Sequence, residues 1–155
     1  MERVELDSVD NWMGPASIKR PLGQALGAEH VSVNYYELEP GESFAFGYHA
    51  HDDQEEVFFI IKGTVTFETE DGELTVGANE SVFVPPGEFQ RGVNTSDSPV
   101  RALAIGAPAD MGETTILRAC SACGERTEQT IEPTDSRDAL VTLCIECDSE
   151  TGRFD

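Results

Sequence analysis

Lysine is the scarcest ingredient of this chain. Only Lys19 and Lys62 occur in 155 residues, and lysine and arginine together number ten against 30 aspartates and glutamates. Residues 1–110 hold 20 acids and six bases, and residues 111–155 hold ten and four, so net charges of −14 and −6 make up the formal −20. The excess is spread along the chain and is not gathered into an acidic tail. A surface this negative repels phosphate backbones, which excludes nucleic acid as a default partner. It also repels itself, an effect that screening diminishes as the Debye length falls to about 3 Å in 1 M salt. The expected setting is the cytoplasm of a salt-adapted organism. No uninterrupted apolar run of membrane-spanning length is present, and the first residues are not a basic stretch followed by an apolar one. Neither a helical membrane span nor a secretory signal is therefore expected. Cysteine is missing from the first 119 residues, and helical periodicity is missing between residues 30 and 106.

What remains is enough for one real core: 39% apolar residues, with eight Phe, three Tyr and one Trp. The first thirty residues, broken at Gly14-Pro15 and Arg20-Pro21 and Gly-rich after Leu22, read as an irregular arm across one end of the fold. From His30 onward come short runs rich in Val, Tyr, Phe and Thr: 31–38, 43–46, 56–61, 64–69, 73–76, 81–84 and 100–105. Pro40-Gly41, Lys62-Gly63, Asp71-Gly72 and Pro86-Gly87 separate them with residues suited to tight turns. This is the texture of an all-β sandwich or barrel. Residues 57–61 are apolar at every position and are expected to be covered on both faces, whereas 64–69 alternates and is expected to have one wet face. The small residues from Gly106 to Gly112 mark an expected boundary between a barrel of residues 1–110 and a module of residues 111–155. In that module, 114–118 and 139–143 read as short strands.

His49 and His51 are the first residues that carry chemistry. At i and i+2 of an extended segment they point to one face, so both imidazoles can reach one ion. Glu56 offers a carboxylate close by, a hard ligand that suits Mn, Fe, Ni or Co. The spacing His49-x-His51-x4-Glu56-x6-Gly63 resembles the first motif of the cupin superfamily, and Pro85-x-Gly87-x2-Gln90-x3-Asn94 resembles the second. The resemblance covers about residues 30–106 and implies a double-stranded β-helix barrel of jelly-roll type. It further implies that His49, His51 and Glu56 ligate a divalent metal (Mn, Fe, Ni, Co or Zn) inside the barrel, and that the chain pairs as a homodimer. The family's second motif has a histidine where this chain has Gln90. The amide oxygen of Gln90 is then a fourth ligand, or the amide hydrogen-bonds a substrate or bound water. Asn79 replaces a glycine and tolerates left-handed backbone. Gly41 lies farther ahead of the histidines than is usual, which predicts a longer loop or bulge through 44–48. Tyr48 and Arg91 are weaker candidates for substrate binding at the rim, while Phe44, Phe46, Phe58 and Phe83 are read mainly as core.

Cys120-x2-Cys123 and Cys144-x2-Cys147, twenty residues apart, have the spacing of two knuckles that share one tetrahedral zinc. They resemble a zinc ribbon, whose closed coordination implies a structural or partner-docking role. Two functions are therefore expected to compete. One is a metal-binding cupin of small-molecule metabolism, of oxygenase, isomerase or decarboxylase type. The other is a non-catalytic sensor or adaptor that binds a small ligand in the barrel and a protein partner through the ribbon.

Overall fold

The computed structural model describes residues 1–155. Apart from a 3-10 turn at Leu6–Ser8 and one short helix, α1 (Leu22–Ala25), the regular structure is strand. The strands are β1 (Ile18–Arg20), β2 (Ser32–Leu38), β3 (Tyr48–His51), β4 (Glu55–Lys62), β5 (Thr64–Thr69), β6 (Gly72–Gly77), β7 (Ser81–Val84), β8 (Gln90–Val93) and β9 (Val100–Ala107). Four more follow in the cysteine-bearing part: β10 (Thr114–Cys120), β11 (Glu125–Pro133), β12 (Leu140–Cys144) and β13 (Glu150–Phe154). They form two antiparallel sheets, one in the order β1-β2-β9-β4-β7 and one in the order β13-β12-β11-β10-β3-β8-β5-β6. No helix is long and apolar enough to cross a membrane.

The expected turns hold their chain reversals with left-handed backbone where the sequence permits it: Gly63 has φ 85° and Asn79 φ 67°. Asn94, fully buried, locks another: its Nδ2 donates to the carbonyls of Leu38 at 3.0 Å and Ser98 at 2.9 Å, and its Oδ1 accepts from Ser96. Two expectations are corrected. Residues 43–46 form no strand, only a single bridge from Ser43 to Val93, because the chain bulges there before entering β3. Residues 57–61 are not covered on both faces. Phe58 and Ile60 point into the core, while Val57, paired with exposed Phe83, and Phe59 are half-buried on the outer face and Ile61 is exposed. Period-2 alternation thus persists beneath an unbroken apolar sequence.

The core lies between the sheets, where Tyr36, Phe44, Phe58 and Phe67 pack with ring centroids 5.0–6.0 Å apart. Leu38, Ile60, Val65 and Val100 complete it with essentially no exposure. Each such side chain contributes about 1.5–3 kcal/mol by leaving water. Opposite the bulky layer, β9 turns Ala102, Ala104 and Gly106 inward. These small residues leave one end of the barrel hollow.

The expected boundary at 110/111 falls in the loop between β9 and β10, but the sheet runs on. β10 pairs with β3 from Thr114↔His51 to Leu117↔Tyr48. Arg118 fastens the same junction: its guanidinium donates to the Phe46 carbonyl and, at 3.1 Å, to that of Thr151, and lies 5.4 Å from the Phe154 ring.

The aromatic layer generates a test. A Cβ added at Gly92 would lie 2.6 Å from Phe44 and 2.8 Å from Phe67. Gly92→Ala is therefore expected to cost about 1–3 kcal/mol by overpacking. Denaturant midpoints in concentrated potassium chloride measure this, and an unchanged midpoint would show that the ring layer yields without strain.

Candidate metal centre and its cavity

Strand pairing brings the four candidate barrel residues together. His49 and His51 share the inner face of β3, His49 faces Gln90 across the β3–β8 pair, and Glu56 points inward from β4. The ligating atoms of His49, His51 and Glu56 all lie within 4.8 Å of one another. His51 Nε2 is 3.7 Å from Glu56 Oε2, and Gln90 Nε2 lies 3.2 Å from Glu56 Oε2 and 3.4 Å from His49 Nε2.

The outer nitrogens of both rings are occupied. His49 Nδ1 meets the Gly47 carbonyl at 3.2 Å, and His51 Nδ1 meets Thr114 Oγ1, on β10, at 2.8 Å. With the proton on Nδ1, each ring donates there and turns a bare Nε2 inward, which is the tautomer a metal needs. Burial, helped by the neighbouring His51, pushes the His49 pKa down to about 4, and burial followed by the charge of Lys19 lowers that of His51. His49 is therefore neutral at pH 7. Burial raises Glu56 to about 7, against the opposing pull of the Gln90 hydrogen bond and Lys19.

The donor set fits a divalent ion on the evidence of its own unsatisfied chemistry. Gln90 Oε1 is buried and has no hydrogen-bond partner. An acceptor left bare in a low-dielectric site is costly unless a donor or cation meets it. Two imidazoles and a carboxylate form a mixed nitrogen and oxygen set of the kind that suits Mn, Fe, Co or Ni. Gln90, whose amide nitrogen faces Glu56 and His49, would add its oxygen after a half-turn of the amide.

His49, His51 and Glu56 line a cavity of about 530 Å³ whose walls are largely apolar, Phe44, Phe58 and Ile116 among them. Gln54 roofs part of it, its amide pressed over Gly106 and bonded to the Pro108 carbonyl at 2.7 Å. The weaker candidates Tyr48 and Arg91 do not line it. Each neighbours an inward residue, His49 and Gln90, so strand alternation turns both outward. Tyr48 stacks on Phe89 at 5.4 Å beneath the Arg126 guanidinium, and Arg91 is paired in register with Glu68. Sequence reasoning passed over Lys19, Tyr36 and Thr114, all of which reach the cavity.

The four cysteines gather separately. Sγ distances are 3.6 Å for Cys120 to Cys147, 3.5 Å for Cys123 to Cys147 and 3.8 Å for Cys123 to Cys144. All four thiols lie within 4.8 Å of one another. These separations exceed a disulfide's length of about 2 Å and approach the edge of about 3.8 Å of a tetrahedron with Zn–S bonds of about 2.3 Å. Thr127 Oγ1, 3.1 Å from Cys144 Sγ, leads the effects that bring the Cys144 pKa down to about 6, favouring thiolate.

Comparison with known proteins agrees with this geometry. Residues 34–106 match the family described as Cupin domain. The barrel has the cupin fold. Among solved structures, a sugar phosphate isomerase of the cupin superfamily from Silicibacter pomeroyi aligns over 97% of this chain and 92% of its own, with 21% identity and a TM-score of 0.65. The polyketide cyclase RemF from Streptomyces resistomycificus aligns over 78% of this chain and 88% of its own at 22% identity, also with a TM-score of 0.65. A predicted oxalate decarboxylase from Thermotoga maritima aligns over 69% and 99%, at 18% identity and a TM-score of 0.58. A search of the curated proteins gives no significant match.

Glu56 gives the site a measurable pH signature. Its folded pKa of about 7 lies above the ordinary 4.5, so its contribution to stability is complete below pH 4.5 and is lost as the pH rises through 7. His49, with a depressed pKa, acts in the opposite sense: its contribution is present above 6.5 and is lost as the pH falls through 4. Comparison with Glu56→Gln cancels the histidine effect. In chelator-treated protein, that variant is expected to gain up to about 3 kcal/mol on the parent between pH 4.5 and pH 8. Parallel stability curves for the two would show that Glu56 ionises freely.

Proposed function

We propose that this chain is a metal-dependent cupin enzyme of small-molecule metabolism, with His49, His51 and Glu56 as the metal ligands. Gln90 is the fourth ligand, or the amide that hydrogen-bonds whatever occupies the neighbouring position. One observation carries the reading: both imidazoles are fixed through Nδ1 and converge through Nε2 on the Glu56 carboxylate, at the polar patch of a largely apolar cavity. A surface pair of histidines would need neither the tethers nor the burial.

A divalent ion bound there supplies Lewis acidity toward a substrate oxygen. The chain's own groups do the rest. Gly47 and Thr114 hold the rings in orientation, and Phe44, Phe58 and Ile116 keep bulk water from the polar groups. Neighbours described as a sugar phosphate isomerase, a polyketide cyclase and a predicted oxalate decarboxylase support a small organic substrate. We further assign a structural zinc to Cys120, Cys123, Cys144 and Cys147.

Elemental analysis of untagged protein purified in concentrated potassium chloride tests both sites. The parent is expected to carry about two metals per chain. His49→Ala should lose the barrel metal and keep the zinc, and replacement of all four cysteines by serine should do the reverse. If zinc alone is found and disappears with the cysteines, the metal-dependent enzyme is wrong and a ligand-binding sensor or adaptor takes its place.

A further inference from the structure

We propose that Lys19 is the anchor for a negatively charged oxygen group on the cavity's ligand, with the Tyr36 hydroxyl as an adjacent donor, so that the ligand is a small organic oxyanion. This rests on the reading of the cupin cavity as a small-molecule site, and it goes beyond that reading by naming the ligand's charge and the residues that meet it.

The N-terminal arm is built around this lysine. Both backbone groups of Lys19 are pinned: its N–H donates to Asn11 Oδ1 at 2.7 Å, and its carbonyl accepts from the Trp12 N–H at 2.8 Å. β1 then joins the edge of the five-stranded sheet with Lys19 opposite Tyr36. Its neighbour Arg20 reaches instead to the Leu6 carbonyl and to Asp7, so alternation along β1 sends the ammonium inward. Nζ comes to rest 5.6 Å from the Trp12 ring centroid and 5.7 Å from that of Tyr36.

No carboxylate claims it. The chain has 30 acidic residues, yet none of its ion pairs involves Lys19. Glu56 acts on it through charge alone, while burial lowers its pKa. Lys19 is also the one lysine or arginine among the residues that line the cavity. Tyr36 is 5% exposed, and its hydroxyl is influenced by burial and by Glu56 but by no hydrogen-bonding partner. A cation and a phenol, both unpartnered and both facing the same cavity, make a receptor for an oxyanion. The aromatic rings hold the ammonium in place when the site is empty of ligand and exclude the water that would screen it. In a protein of charge −20, an anion has little reason to approach unless such a receptor awaits it.

Carboxylate and phosphate share this chemistry, and one experiment separates them. Trp12 is the only tryptophan and lines the cavity beside Lys19, so its fluorescence reports occupancy. At constant ionic strength, the full chain is titrated with acetate, with inorganic phosphate and with neutral acetamide, and the same is done for Lys19→Met and Lys19→Arg. Metal content is measured in each preparation. One of the two anions is expected to bind saturably, at least tenfold more weakly to Lys19→Met and within about threefold of the parent to Lys19→Arg, with metal content unchanged. Response to phosphate alone assigns a phosphorylated ligand, and response to acetate alone assigns a carboxylate. Equal affinity of Lys19→Met and parent for the anion overturns the proposal, as does a parent that binds acetamide as well as the anions or binds neither anion. Lysine-dependent binding in a parent whose barrel holds no metal supports the anion site while counting against the metal centre, so the two claims fail separately.

Discussion

The antiparallel pairing of β10 with β3 is the constraint on which the site depends. β3 carries both histidines, and on its other side it touches β8 at a single register pair, His49↔Gln90. β10 contributes four register pairs to β3, and the first of them, Thr114↔His51, is also where a side-chain bond sets the imidazole's orientation. Ile116 from β10 and Ile131 from β11 then wall the cavity that the histidines face. The segment that bears the cysteines is thus part of the barrel's own construction. Backbone pairing fixes the strand and hydroxyl bonding fixes the ring. Apolar packing fixes the surroundings.

Much of the fold was legible because its signals are local. Turn residues at 63, 72 and 87 and the alternation of 64–69 need only near neighbours to act. The convergence of His49, His51 and Glu56 was legible for the same reason, since i and i+2 on a strand is a short-range relation and Glu56 follows within a few residues. What escaped is non-local. Lys19 became a cavity residue through an edge pairing with Tyr36, and Thr114 became a histidine partner through a strand pairing that joins positions 63 residues apart. β11, the run from Glu125 to Pro133, is polar throughout its first five residues and buries only Thr127 and Gln129. Its burial comes from hydrogen bonding around the cysteines, where hydrophobic alternation has nothing to report. Tyr48 and Arg91 lie outside the cavity lining because each stands one residue from an inward-facing group, the interval at which a strand reverses direction.

Electrostatics inside the barrel differ in kind from those outside. The surface is a dilute field of carboxylates, most of which have few close partners. Inside, Glu56, His49, His51 and Lys19 lie close enough to shift one another's protonation, and burial is the largest cause acting on each. Burial drives all four toward their neutral forms in the absence of ligands. A bound cation and a bound anion would each reverse that tendency, at opposite ends of one small cavity.

The junction between barrel and cysteine-bearing segment also has a topological cost. β3 pairs with β8 at one point only, so β10 supplies most of what shields its backbone groups. A chain cut at the apparent boundary near residue 110 would uncover that strand as a free sheet edge, with Ile116 and Ile131 stripped from the adjoining wall. Bare edges recruit other strands, so the shortened barrel would be prone to self-association through the very segment that carries His49 and His51. Modularity visible in the spacing of cysteines is here a property of the sequence and not of the sheet.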